Sequence, residues 1–196
     1  MDWIKFFDKE LTGTKRLGID KIIAWLHTTD FYTAPASTRF HGAKKGGLLD
    51  HSIYVYTNLL TLRENIDFDK DGEHTINNQS MAVVALLHDV CKADLYKTST
   101  RNVKNEKTGQ WEKQPYYTTD DQCPLGHGEK SVILLQQHGL QLTENEIYAI
   151  RWHMGGFDET GRAYGGAMAL SNAMSRCRLL VLLHMADLAA SYISEV

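Results

Sequence analysis

The sequence has few of the features that mark a secreted protein. Its 196 residues include only three cysteines, Cys91, Cys123 and Cys177, and no CxxC pair. An odd number of widely spaced cysteines supports neither a disulfide framework nor a zinc finger, so the expected compartment is the reducing cytoplasm. The first ten residues mix acidic and basic side chains with apolar ones, and we therefore expect no secretory signal.

Long apolar runs and an excess of positive charge are also missing. The most apolar stretches, residues 81–87 and 179–183, are far shorter than the roughly 20 residues that cross a bilayer, so we expect buried core helices and no membrane partner. The net charge of −3 disfavours duplex DNA as a partner. A small or short anionic substrate is the better expectation, with Arg39, His41 and Lys44 as candidate substrate-binding residues.

Apolar residues recur at helical spacing through most of the chain, which predicts an all-α fold in a single domain. Two short helices are expected within residues 1–30, before a core that covers residues 31–195. Residues 95–118 alternate instead around Gly109 and predict a small β-hairpin near the site. Further helices are predicted over about 48–63, 76–90, 125–138, 143–154 and 174–194. Thr143 and Glu146 predict a capping box at the start of the fourth of these.

Residues 64–75 are polar and acidic and admit two interpretations. Asp67, Asp69 and Asp71 precede a glycine with the spacing that opens an EF-hand calcium loop. The twelfth position of such a loop would be Asn78, where a bidentate glutamate is required. We therefore favour an exposed, solvated connection over a calcium site.

Charged and imidazole side chains interrupt two of the most apolar segments. His88 and Asp89 directly follow Ala-Val-Val-Ala-Leu-Leu, and Asp187 lies inside the apolar segment 179–190. Burying such groups without partners costs several kcal/mol. A divalent metal ion explains the pattern, because it converts repelling carboxylates and imidazole lone pairs into satisfied ligands. For any one of these positions alone, a hydrogen-bonded core residue is the competing interpretation.

Histidine and aspartate recur in a fixed order along the chain, in the series His51, His88, Asp89, His127, His153 and Asp187. This order resembles the H…HD…D signature of the HD superfamily of metal-dependent phosphohydrolases, over about residues 31–195. Phe-His-Gly at 40–42, Gly-Gly-Leu-Leu-Asp-His at 46–51 and Leu-Leu-His-Asp-Val-Cys-Lys at 86–92 look like the HD domain of the bacterial YhaM-type exoribonucleases.

The resemblance implies an HD-type helical bundle in which His51, His88, Asp89 and Asp187 bind the metal. It also implies that Lys92, which matches the lysine of the HDxxK pattern, neutralises charge on a phosphoryl oxygen. Asp89 or a nearby histidine would accept the proton of the attacking water, and the sequence does not choose between them.

His127 and His153 are expected to line the same cleft, either as ligands of a second metal ion or as contacts to phosphate. The chain departs from the family at two positions nearby. Met154 follows His153, where two-metal relatives often carry adjacent histidines, and Cys91 replaces the usual glycine. We expect no room for the nucleic-acid-binding domain of YhaM-type enzymes, so exoribonuclease activity is not inferred.

The sequence therefore predicts a metal-dependent phosphohydrolase that acts by attack of a metal-bound water. Its expected substrate is a nucleotide, a short oligonucleotide or single-stranded nucleic acid, or another small phosphoester. Mixed imidazole and carboxylate ligands indicate Mn, Fe, Ni, Co or Mg. The alternative is a non-catalytic HD module that binds metal or nucleotide for sensing or partner docking. The complete series together with Lys92 favours the enzyme.

Four further residues keep two interpretations each. His184 lies one helical turn before Asp187, and a supporting core residue is favoured over a ligand. Trp111, Tyr116 and Tyr117 would either stack a base or pack across the strands of the predicted hairpin.

Overall fold

A computed structural model of the chain describes residues 2–67 and 75–195 and is mostly helical with one small antiparallel sheet. The two short opening helices are confirmed as α1, Trp3–Gly13, and α2, Ile19–Leu26. The Asp2 carboxylate caps α1 by accepting a hydrogen bond from the backbone N–H of Lys5. Phe7 on α1 and Ile22 on α2 point into the core, as their helical spacing predicts.

Helices α3, Gly47–Ile66, and α4, Asn78–Leu87, form the centre of the molecule. Every residue of α4 from Ser80 to Leu87 is buried, because the helix contacts α1, α3 and two later helices on all sides. The helix ends at Leu87, earlier than the sequence predicts, and Val90–Lys92 forms a 3-10 turn. His88 and Asp89 therefore lie in the buried corner between these elements.

The sheet is the predicted hairpin, and it is confirmed. Strands β1, Tyr96–Lys104, and β2, Trp111–Thr119, pair antiparallel, with Tyr96 opposite Thr119 at the base. Gly109 adopts a φ of +71° in the connecting turn, a conformation that favours glycine. Most of the hairpin is exposed, and only its base approaches the helical body.

Helices α5, His127–Gln137, and α6, Glu144–Trp152, pack against each other. The predicted capping box at the start of α6 is confirmed: the Thr143 hydroxyl accepts from the backbone N–H of Glu146, and the Glu146 carboxylate accepts from that of Thr143. Beyond α6 come a 3-10 turn, Gly155–Phe157, and the short helix α7, Glu159–Arg162.

The prediction of one last helix over 174–194 is wrong. The chain forms α8, Tyr164–Arg176, then α9, Arg178–Ala189, and a π-helical turn, Ala190–Ser194. Cys177 is extended between them, with φ −127° and ψ 95°, and its buried thiol donates to the carbonyl of Asn145. Both helices bury apolar side chains, so apolar residues recur at helical spacing on both sides of Cys177. The pattern therefore predicted one continuous helix.

Two further expectations concern the calcium interpretation and membrane crossing. Asp69 and Asp71 of the calcium interpretation lie outside the described residues; the Asp67 carboxylate accepts hydrogen bonds from the backbone N–H groups of Thr75 and Ile76.

Among residues 2–67 and 75–195, no single helix is long and apolar enough to cross a bilayer. The pair Tyr164–Arg176 and Arg178–Ser194 has sufficient combined length and apolarity, but it bends by 107°.

Candidate metal centre

Four side chains from three helical segments meet in one buried cluster. His51 lies in the first turns of α3, His88 and Asp89 follow the end of α4, and Asp187 lies in α9. The Nε2 atom of His51 is 3.3 Å from Nε2 of His88, 3.3 Å from Oδ1 of Asp187 and 3.6 Å from Oδ2 of Asp89. The series that is scattered through the sequence thus lies at a single point of the fold.

Backbone carbonyls orient two of the imidazoles. The Nδ1–H of His88 donates to the Ala85 carbonyl at 2.9 Å, and the Nδ1–H of His153 donates to the Ile150 carbonyl at 2.7 Å. Each ring then directs Nε2, with its lone pair, towards Asp89. The Nε2 atom of His153 is buried and has no hydrogen-bond partner, so this ring leaves a buried lone pair facing the cluster.

A second set of groups surrounds the other side of Asp89. His127, the first residue of α5, donates from Nε2 to Oδ1 of Asp89 at 2.6 Å, and Lys92 donates to Oδ2 at 2.6 Å. The Sγ atom of Cys91 lies 3.4 Å from Nδ1 of His127. Asp89 is therefore the residue that both halves of the cluster share.

Two histidines of the cluster are protonated and a third is neutral. Burial alone would lower the pKa of His51, but hydrogen bonds to Asp187 and Glu195 more than offset this and raise it to about 9. Burial likewise opposes ionisation of His127, whose pKa rises to about 10 beside Cys91 and Asp89. Burial lowers the pKa of His88 to about 3, so this ring is neutral. Protons on His51 and His127 thus occupy positions that a cation would compete for.

The two carboxylates of the cluster remain ionised. Burial would raise the pKa of Asp187, but its hydrogen bond with His51 lowers the pKa below the ordinary value. Burial also opposes ionisation of Asp89, and the charges of Lys92 and the histidines hold its pKa well below the usual range. One buried anion, Asp89, and one partly exposed anion, Asp187, together with the imidazole nitrogens directed at them, make a donor set that suits a divalent cation.

The donor spacing fits metal binding. Among the described residues, three sets of donor atoms each lie within 4.8 Å of one another: His51, His88 and Asp187; His88, Asp89 and His153; and Asp89, Cys91 and His127. Clusters of histidine, aspartate and cysteine that could bind a metal are therefore present where the sequence suggested them.

The cluster opens into a cavity of about 730 Å³. Tyr96 and Thr119 at the base of the hairpin line it, and the Tyr96 hydroxyl donates to the Ala36 carbonyl on the opposite loop. His41 also lines the cavity, with its ring centroid 5.0 Å from that of His51. The hairpin predicted near the site thus contributes its base to the cavity wall.

The other two candidate substrate residues lie away from that wall. Lys44 pairs with the carboxylate of Asp50 at 2.8 Å and lines a separate cavity of about 430 Å³. Arg39 is exposed, with its guanidinium 4.8 Å from the ring centre of Phe40. His184 donates from Nδ1 to the carbonyl of His153 at 2.6 Å, which is the contact of a residue that holds a neighbour in place.

Glu195 was not among the residues predicted for the site. Its Oε1 accepts a hydrogen bond from Nδ1–H of His51 at 2.6 Å, and its side chain is 5% exposed. Oε2 is buried without a hydrogen-bond partner. A carboxylate in this place fixes the ring orientation of His51 and makes its Nε2 a stronger donor to a metal.

Removal of this carboxylate should weaken metal binding. We expect Glu195→Ala to lower Mn²⁺ affinity by about 10- to 100-fold, because carboxylates behind ligating histidines typically contribute that much. Glu195→Gln keeps an acceptor oxygen and should lose less. Isothermal titration measures both, with the exposed Glu159→Ala as the control. Unchanged affinity in Glu195→Ala would contradict the role of Glu195.

Comparisons of the chain with protein-family models, with curated proteins and with solved structures found no match.

Proposed function

We propose that the chain is a metal-dependent phosphohydrolase of the HD type. The observation that carries the proposal is the meeting of the H…HD…D series in one buried cluster beside an open cavity. The mostly helical fold agrees with the proposal. A purely structural cluster would have no need of a cavity at its edge or of the unpartnered nitrogen of His153.

His51, His88, Asp89 and Asp187 are the proposed metal ligands. Mn, Fe, Ni, Co and Mg are the candidate ions, because the donors combine imidazole and carboxylate. When bound, a divalent cation supplies Lewis acidity: it lowers the pKa of water and neutralises negative charge on a phosphoryl group.

The chain's own residues have separate tasks in this proposal. Lys92 lines the cavity and donates to Asp89, and its ammonium would neutralise charge on a phosphoryl oxygen of the substrate. Burial opposes the charge on Lys92, but the Asp89 carboxylate more than compensates and raises its pKa, so the ammonium stays charged. Asp89 and the nearby histidines are the candidate proton acceptors. His127 and His153 serve either a second ion or a phosphate oxygen.

The proposed substrate is a small phosphoester such as a nucleotide or a short oligonucleotide. The proposed location is the cytoplasm, since Cys91, Cys123 and Cys177 are all free thiols. A second candidate function is a non-catalytic module that binds metal or nucleotide for sensing. The complete series together with Lys92 favours the enzyme, because a module that only binds has no need of all of these residues.

Metal removal and reloading tests the proposal. The protein is stripped with a chelator, reloaded with each candidate ion and analysed for metal content, and its hydrolysis of bis-p-nitrophenyl phosphate and nucleotides is measured. We expect one or two ions per chain and turnover that disappears on stripping and returns on reloading. Stoichiometric metal without turnover would favour the sensing module, and absence of metal would overturn both the hydrolase and a metal-sensing module.

A further inference from the structure

The cavity beside the cluster has an aromatic wall that the proposed chemistry does not use. Phe40, Phe157 and Tyr192 line it and are 68%, 58% and 69% exposed. Met154 and Leu188 add apolar surface to the same wall. Large apolar side chains that stay exposed around a cavity indicate a ligand-binding surface, because they gain contacts only when a ligand covers them.

The positive charges that the structure describes around the cavity are all paired with carboxylates. Lys92 is the only lysine or arginine among the lining residues that the structure describes, and it is bonded to Asp89. The imidazoles of His51 and His127 also line the cavity, and they are bonded to Asp187 and Glu195 and to Asp89, respectively. The carboxylates of Asp89 and Asp187 cancel part of the charge of a bound divalent ion and Lys92, which leaves enough positive charge for a single phosphoryl group. A triphosphate or a polynucleotide would bring several more negative charges, for which the described lining residues of the cavity offer no further cation.

We propose that the substrate carries a single phosphoryl group on a small scaffold with a flat heterocyclic ring, as in a nucleoside monophosphate. The phosphoryl group lies at the cluster, and the ring packs against Phe157 and Tyr192. A volume of about 730 Å³ suits a ligand of this size. This inference rests on the proposed function and adds its substrate class.

The test compares two substrates with the same leaving group. Nucleoside 5′-monophosphates and ribose 5-phosphate release the same kind of 5′-alkoxide and differ in the base. We expect kcat/KM to be about 5- to 150-fold higher for the nucleotides, the effect of stacking one base on an aromatic side chain. Nucleoside triphosphates and short oligonucleotides should be poorer substrates than the monophosphates.

Substitutions of the aromatic lining residues test whether these side chains cause the preference for nucleotides over ribose 5-phosphate. Phe157→Ala and Tyr192→Ala should each lower the ratio of kcat/KM for the nucleotide to kcat/KM for ribose 5-phosphate. Tyr164→Ala is the matched control, because this ring is 89% exposed and does not line the cavity. Equal kcat/KM for nucleotide and ribose 5-phosphate, or a preference for triphosphates or oligonucleotides, would overturn the inference and leave the hydrolase proposal intact.

If no phosphoester is hydrolysed, the proposed function fails and a binding measurement decides the inference. Calorimetric titration of the Mn²⁺-loaded protein with adenosine 5′-monophosphate and with ribose 5-phosphate should then show tighter binding of the nucleotide, weakened in Phe157→Ala. Equal affinities, or no binding of either ligand, would overturn the inference.

Discussion

Asp89→Ala is expected to abolish metal binding and to lower turnover by at least about 10³-fold, because several kcal/mol of charge stabilisation is lost with the metal. Asp89 contacts the cluster on both sides, through His51 and His88 on one and His127 on the other. No other carboxylate in the described residues makes this set of contacts. Metal analysis and hydrolysis assays on the purified variant measure both effects.

The control for this variant is Asp120→Ala, which removes a half-exposed carboxylate that pairs with Lys97 outside the cluster. It should retain metal and turnover. The far-ultraviolet circular dichroism of Asp89→Ala should stay helical, because Asp89 lies between helices rather than inside one. Full activity in Asp89→Ala would remove the basis of the metal assignment.

Glu146→Ala should have the largest effect on stability, a loss of about 3–5 kcal/mol. The Glu146 side chain is fully buried and accepts a bidentate pair from Arg16, at 2.6 and 3.0 Å. It also accepts from the Ser80 hydroxyl and from the backbone of Thr143. The variant leaves Arg16 and Ser80 without this acceptor, so thermal unfolding should begin about 6–20 °C lower.

Glu144→Ala is the matched control, since it removes an exposed glutamate from the first turn of the same helix. Its stability should change by less than about 0.5 kcal/mol.

Burial opposes the ionisation of Glu146, but Arg16 and the other donors lower its pKa in the folded state. Its contribution is therefore present above the unfolded pKa of about 4.3 and is lost as pH falls further. The wild-type protein and Glu146→Ala should therefore converge in free energy of unfolding as the pH falls. A difference in free energy that stays constant with pH would contradict the ion-pair explanation.

The sequence predicted the elements whose local signals agree with their tertiary environment. Thr143 and Glu146 mark the start of α6, and Gly109 marks the turn between two alternating strands. The bend at Cys177 had no such signal, because neither glycine nor proline stands there and the apolar period continues on both sides. At the bend, the buried Cys177 thiol donates to a carbonyl of another segment, a tertiary contact that a local sequence pattern does not indicate.

The candidate site was predictable only where chemistry leaves an unusual pattern. A histidine and an aspartate after six apolar residues stand out, so His88 and Asp89 were found. Glu195 follows no long apolar run and looks in the sequence like any solvated carboxylate, although its side chain is buried against His51. Lys44 was chosen for its charge, yet the fold pairs it with Asp50. Whether the cluster binds metal stays a prediction.

The cluster consists of segments that are far apart along the chain, since His51 meets Glu195 across 144 positions. No single hairpin or helix pair contains it, so the site exists only when the first half of the chain has closed onto the last helix. Closing so long a loop costs conformational entropy that the packed core must repay. A partly unfolded molecule therefore lacks the site altogether, and a destabilising substitution anywhere in the core lowers the fraction of molecules that contain it.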